Sequence, residues 1–458
     1  MELQVGKQIQ VDCNGLGHNG EGICRYDGLA IFVPFVLPGE KVEIQITQLK
    51  KRYASGRLIK VIEPSKERVE PPCHLFGACG GCQLQHLSYK KQLFWKQRQV
   101  SDALERIGKL DGIKVKPVIG MNDPWHYRNK MQLPVSGVPK KVKIGCYETG
   151  SHRVTDTDTC LIQTEWNNRL LAKVREVADS LGIEPYLERE GKGWLRHVMG
   201  RSNSRGQGVL VLVGKDKDLP GGKEAWQEAF EGFPGLVGIV LNVNSEQTNV
   251  VIGRDNHLIS GEETLIEALD GKDFVISATS FFQVNPQQTE ILYKEAVRMA
   301  GLTGKETVLD AYCGTGTIAL FLAGQAKNVI GIERYLGAVE DARVNAKNNG
   351  ISNCKFWVGN IEEHLKTLTT LKLDVVVVDP PRTGCSPETL AALHATGAKR
   401  FIYVSCNPAT LARDAAWLFA QGWKIKEVQP VDMFPQTSHV ETCVLLSHKN
   451  SQASSPSL

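Results

Sequence analysis

Along the first 62 residues short apolar runs alternate with Gly and Asp turns, as in Ala30-Ile31-Phe32-Val33 and Val42-Glu43-Ile44-Gln45-Ile46. Alternation at every step puts one side of each strand in a core, and many short strands of this kind predict a small β-barrel. Residues 63–72, rich in proline and charge, read as a linker. A helical period follows over residues 88–109, with Leu93, Trp95, Val100, Leu104 and Ile107 offered to a core. From 113 to 260, short strands such as 209–213 and 238–244 alternate with helices such as 164–181, predicting an α+β region. The last third is the clearest. A strand at 307–311 runs into the turn Tyr312-Cys313-Gly314-Thr315-Gly316 and a helix, and a second strand, 329–333, ends on Glu333. Further apolar strands at 354–358, 374–379, 400–404 and 440–446, most separated by helical segments, predict a doubly wound sheet that binds ligands at the carboxyl ends of its strands.

Composition changes this picture little. The 458 residues are 42% apolar and 23% charged, enough for two or three domains with ordinary cores. No run of about 18 apolar residues predicts a membrane span, and the N-terminus lacks the basic and apolar pattern of a secretion signal, so the expected location is the cytoplasm. In that setting twelve cysteines point to metal ligation, catalysis or buried thiols rather than a disulfide framework. A net charge of +4 permits a nucleic-acid partner only if the basic residues cluster. They do so at 49–60, where Lys50, Lys51, Arg52, Arg57 and Lys60 surround Tyr53 without an acid, which suits phosphate contact and base stacking.

Candidate chemistry lies in two places. Cys73, Cys79 and Cys82, spaced by five and two residues and packed with glycines, have the local look of iron–sulfur ligation. A fourth ligand is missing there, with Cys146, Cys160, His74 and His86 as candidates. In the last third, the turn after the first strand has too few glycines for a dinucleotide fingerprint and no basic residue for a pyrophosphate, so S-adenosylmethionine fits better than NAD. Glu333 stands where a ribose hydroxyl pair would be bound. Asp379-Pro380-Pro381-Arg382 follows one buried strand, Ser405-Cys406-Asn407-Pro408 the next, and His439-Val440-Glu441-Thr442 opens the last. A thiol and a carboxylate at the cofactor end of such a sheet are a nucleophile and a base. Asp-Pro-Pro alone also suits amino-group methyltransferases of nucleic acids, which have no need of a thiol.

Taken together, Cys406 in Ser-Cys-Asn-Pro, Glu441 in His-Val-Glu-Thr, Asp379-Pro-Pro-Arg and Ser280-Phe281-Phe282-Gln283-Val284-Asn285 resemble the class I RNA uracil-5-methyltransferases, over about 450 residues. The branch with a TRAM barrel and a [4Fe–4S] cluster, which includes 23S rRNA (uracil-5-)-methyltransferases, is the most similar. The resemblance implies an α/β fold: a Rossmann-like methyltransferase domain (266–449), an N-terminal OB-type TRAM barrel (1–62), a central α+β domain with the cluster (63–265) and a disordered tail (450–458). It implies Cys160 as the fourth ligand after Cys73, Cys79 and Cys82, which leaves Cys146 an ordinary cysteine. It also implies cofactor contacts from Gln283, Tyr312, Glu333 and Asp379, with Thr317 and Asn360 as further candidates, and Phe281 facing a flipped base.

The implied chemistry explains the residue types. Carbon 5 of uracil is a weak nucleophile until a thiolate adds at carbon 6, the role of Cys406. A donor, Gln283 or Arg382 by residue type, meets the charge developing on O4. Glu441 then removes the carbon 5 proton so that the thiol can leave. The expected partner is single-stranded or looped RNA, ribosomal RNA being favoured by barrel plus cluster and transfer RNA the alternative, with no membrane and no obligate protein partner. A non-catalytic iron–sulfur RNA-binding protein is the reading of another class, and the intact Cys406 and Glu441 argue against it.

Overall fold

In the computed structural model, which describes residues 3–448, the alternating N-terminal runs close into a five-stranded barrel. Its strands are β1 (Gln8–Leu16), β2 (Gly22–Tyr26), β3 (Leu29–Val33), β4 (Lys41–Leu49) and β5 (Tyr53–Glu63), in the order β1-β2-β3-β5-β4 with β4 returning to β1. Val11, Ile31, Val33, Val42, Ile44 and Ile46 fill the interior, as strict alternation requires. The β4–β5 turn leaves Lys50, Lys51, Arg52 and Tyr53 exposed. The expected tail at 450–458 lies outside the described residues.

After the linker and the cysteine loop comes α1 (Tyr89–Arg106), and its buried face differs from the apolar list expected for it. Gln92, Lys96, Val100, Ala103 and Leu104 face inward, whereas Ile107 is exposed. Those positions follow the three- and four-residue helical spacing, so two polar side chains share the buried stripe. The helix packs on α9 and β19 of the last domain, below, and joins the core on that side.

The central part is built from β6 (Lys130–Val138), β7 (Lys141–Ile144), α2 (Glu165–Ser180), β8 (Leu195–Ser202), β9 (Gly208–Gly214), α3 (Gly222–Ala229), β10 (Leu236–Val243) and β11 (Asp255–Gly261). They form a six-stranded sheet, β11-β10-β9-β8-β6-β7, with α2 and α3 sealing one face. Thr164 starts α2 by accepting a hydrogen bond from the Asn167 amide, the usual way a threonine opens a helix. A two-stranded unit, β12 (Thr264–Leu269) and β13 (Lys272–Ser277), leads onward.

The last domain contains α4 (Pro286–Ala300), β14 (Thr307–Ala311), α5 (Thr317–Ala323), β15 (Asn328–Glu333), α6 (Leu336–Asn348), β16 (Cys354–Val358), α7 (Leu365–Thr370), β17 (Val375–Val378), α8 (Pro387–Ala395), β18 (Arg400–Ser405), α9 (Pro408–Ala420), β19 (Trp423–Val431) and β20 (Glu441–His448). Seven strands run β16-β15-β14-β17-β18-β20-β19. Helices α4, α5 and α6 cover one face, and α1, α8 and α9 the other. The first five strands are parallel, as a βαβ series requires. No helix links β19 to β20, so this pair is antiparallel, and β20 inserts between β18 and β19. Among the described residues no helix is long and apolar enough to cross a membrane.

Candidate active site and cysteine loop

The carboxyl ends of β14, β15 and β17 open on a cavity of about 980 Å³. Gln283, Tyr312, Glu333 and Asp379 all line it, together with Phe281, Thr317 and Asn360. The turn after β14 brings backbone close to this space. Gly316, at φ +83°, caps α5, and a Cβ there would stand 2.9 Å from the Ala342 side chain and 3.1 Å from the Phe356 ring. Only glycine satisfies both the left-handed backbone and the close approach. Tyr312 holds φ +67° in the same turn, a strained conformation for a non-glycine residue and one that concentrates at binding sites. Glu333 is fixed from two sides, accepting hydrogen bonds from the Gly314 amide (3.3 Å) and the Tyr335 amide (3.0 Å). A turn whose glycines bring backbone close, a positioned carboxylate at the end of the second strand and a roomy cleft fit a nucleoside-bearing cofactor. Phe281 stands at the rim with 77% of its surface exposed.

Cys406 and Glu441 meet through strand register. Ser405 on β18 pairs with Thr442 on β20, so the next antiparallel step sets Cys406 opposite Glu441. The Ser-Cys-Asn-Pro string builds this corner. Ser405 Oγ accepts from the Asn407 amide (3.1 Å), and Asn407 caps α9 by accepting from the Ala409 amide (3.0 Å). Pro408 occupies the first turn, where its missing N–H is no loss. Asn407 also donates to the Arg382 carbonyl (3.0 Å), tying the Asp-Pro-Pro-Arg loop to the nucleophile.

Electrostatics in this corner run against charge. Burial pushes the Glu441 carboxyl up to about 8, Asp379 adds to the rise and Arg382 opposes it. Burial pushes Asp379 up to about 7. Burial, then Glu441, then Asp379 drive the Cys406 thiol up to about 12, again against Arg382. Two carboxyls lifted toward neutrality beside a protonated thiol are perturbed groups of the kind that mark reactive sites. Tyr293, fully buried, hydrogen-bonds Gln283 and senses Asp379 and Glu441. It was not among the expected residues, because a tyrosine inside a helix reads as core.

The cysteine loop holds a second cluster. The Cys79 thiol is held down to about 6 by a hydrogen bond with the Cys146 thiol, which is itself pushed up. Burial pushes Cys82 up to about 12, with Cys160, Cys79 and Cys73 contributing. Cys73, Cys79, Cys82 and Cys160 thus share one neighbourhood, and Cys146, expected to be an ordinary cysteine, joins it. At Gly80 the loop has no room for a side chain, since a Cβ there would stand 2.9 Å from the Tyr147 carbonyl. Among the described residues no three His, Cys, Asp or Glu side chains converge closely enough to hold a single metal ion.

Two families match the chain: the TRAM domain over residues 2–59 and tRNA (Uracil-5-)-methyltransferase over residues 237–449. Similar proteins include an uncharacterized RNA methyltransferase of Halalkalibacterium halodurans, 46% identical over 96% of this chain and 97% of the relative. Another, from Clostridium tetani, is 46% identical over 95% of each. Among solved structures, the Pyrococcus abyssi tRNA (uracil-54, C5)-methyltransferase in complex with S-adenosyl-L-homocysteine is similar with a TM-score of 0.79 at 28% identity, covering 95% of this chain and 99% of that one.

Proposed function

The chain belongs to the TRAM-containing RNA uracil-5-methyltransferases, enzymes that use S-adenosylmethionine, and we propose that Cys406 and Glu441 carry out covalent methylation of a uridine in 23S rRNA, in the cytoplasm. The observation that carries this reading is the register that sets the Cys406 thiol opposite the Glu441 carboxyl beside the cofactor cleft.

Gln283, Tyr312, Glu333 and Asp379, which line the cleft, would hold S-adenosylmethionine, which would supply the methyl group for carbon 5. Everything else falls to the protein. With its thiol near 12, ionising Cys406 beforehand would cost about 7 kcal/mol at neutral pH, so its proton passes to solvent water at the half-buried thiol as sulfur bonds to carbon 6. Arg382, which faces both Cys406 and Glu441, and Gln283, which lines the cleft, are the donors for the charge that develops on O4. Glu441 as carboxylate then takes the proton from carbon 5. The electrons of that C–H bond restore the C5–C6 double bond, the C6–S bond breaks, and Cys406 leaves with the sulfur pair. Phe281, exposed at the rim, offers a face on which an unstacked base can lie.

Cys73, Cys79, Cys82 and Cys160 would hold a [4Fe–4S] cluster, whose part is structural since the reaction transfers no electrons. Ribosomal RNA is favoured by the pairing of barrel and cysteine loop. A tRNA target is the second reading, favoured by the similarity to the P. abyssi enzyme. Incubation with 5-fluorouracil RNA and S-adenosylmethionine tests the chemistry, because fluorine on carbon 5 cannot leave as a proton. Wild type should form a covalent adduct stable to denaturation and Cys406→Ala none; an equal yield from both would end the covalent reading. Running the assay with rRNA and tRNA transcripts separates the targets.

A further inference from the structure

The turn between β19 and β20, residues 432–440, delivers Glu441, and it is held by an unusual number of buried polar bonds. Lys96 on α1, 1% exposed, donates to Asp432 Oδ1 at 2.5 Å and to the Phe434 carbonyl at 3.0 Å. Tyr89 donates to the other Asp432 oxygen (2.9 Å). Gln92 bonds Gln436 twice: its Nε2 donates to Gln436 Oε1 (2.9 Å) and its Oε1 accepts from the Gln436 backbone N–H (3.1 Å). The remaining bonds of the Gln92 amide go to the Leu84 and Leu87 carbonyls, so it joins the segment after the cysteine loop to the turn. Gln436 is buried at φ +69°, a backbone state that a non-glycine residue keeps only where its surroundings over-determine it.

None of these groups reaches the cofactor cleft, and buried glutamines and lysines are costly unless fully bonded. A plain helix–sheet contact would be served by apolar residues at positions 92 and 96. What the polar pairs provide is direction, because hydrogen bonds fix the path of a turn that packing alone leaves free to slide. We propose that Gln92 and Lys96 are positioning residues for proton removal, fixing through Gln436 and Asp432 the turn that aims Glu441 at carbon 5. This rests on Glu441 being the base.

The prediction is a defect confined to the last chemical step. Gln92→Leu removes both bonds to Gln436 from α1. Gln436→Gly removes the side-chain bond from the turn, keeps the backbone N–H that donates to Gln92 Oε1, and eases the left-handed backbone. Both variants, with Glu441→Gln as reference, are given unmodified RNA and methyl-labelled S-adenosylmethionine, and labelled RNA attached to protein is read on a denaturing gel. First-turnover methyl transfer should persist and turnover should fall by about ten- to a hundredfold, the scale on which small misplacements act, with methylated RNA accumulating on the enzyme as in Glu441→Gln. Loss of methyl transfer and turnover together, with no trapped RNA, would make the contacts merely structural and end the proposal. If Glu441→Gln itself traps nothing, the assignment of the base has failed, and the positioning role falls with it.

Discussion

A carboxyl held uncharged inside a sheet opposes folding at the pH where it works. Glu441, near 8 in the fold and near the ordinary glutamate range when unfolded, binds a proton in the folded state that the unfolded chain has released between those values. Its contribution to stability is therefore full at acid pH and lost as pH rises through about 8. Asp379, near 7, acts in the same direction. Glu441→Gln should melt higher than wild type at about pH 8.5 and little differently at about pH 5 in scanning calorimetry. A gap that does not widen with pH would show that the carboxyl is already ionised in the fold. If Glu441 takes the carbon 5 proton, the same burial makes it a stronger base than an exposed glutamate, and the site trades stability for basicity.

Among the elements, the β4–β5 turn presents Lys50, Lys51 and Arg52 beside exposed Tyr53, away from the barrel interior. If this turn grips the RNA backbone, replacing the three cations with serine should weaken RNA binding across sequences and flatten the salt dependence of log K by up to about 2. Filter binding across a salt series measures both, and an unchanged slope would leave the turn a solvated edge. The elements most legible in the sequence were those whose pattern is local. The barrel alternation, the glycine turn at Gly316 and the apolar strand of Val375–Val378 each carry their own period. Strand β19 was not expected, because Trp423-Lys424-Ile425-Lys426-Glu427-Val428 mixes a charged outer face with a bulge between Ile425 and Glu427 that breaks the alternation. The candidate site residues could be placed at strand ends because motif and strand coincide there. Gln92, Lys96 and Cys146 were not, since each is explained only by a partner far away in sequence.

At the scale of the whole molecule, the cysteine loop joins the barrel to the catalytic sheet: after Cys82, the amides of Gln83 and Leu84 both donate to the Gln436 carbonyl, at 3.1 and 2.9 Å. If the loop carries an iron–sulfur cluster, anaerobic purification should give a coloured protein with about four irons per chain. Cys160→Ser should bleach it and Cys146→Ser should leave the colour, whereas a colourless protein with stoichiometric zinc would overturn the assignment. The interior place of β20, between β18 and β19, has a consequence for how the molecule is made. Gln92 bonds a residue 344 positions later in the chain, and the sheet cannot close until residues 441–448 have been synthesised. A growing chain on the ribosome therefore carries all the barrel strands long before it carries Glu441, the proposed base. If Glu441 is the base, the nascent protein has no means of completing the reaction on any RNA it meets until translation reaches that strand.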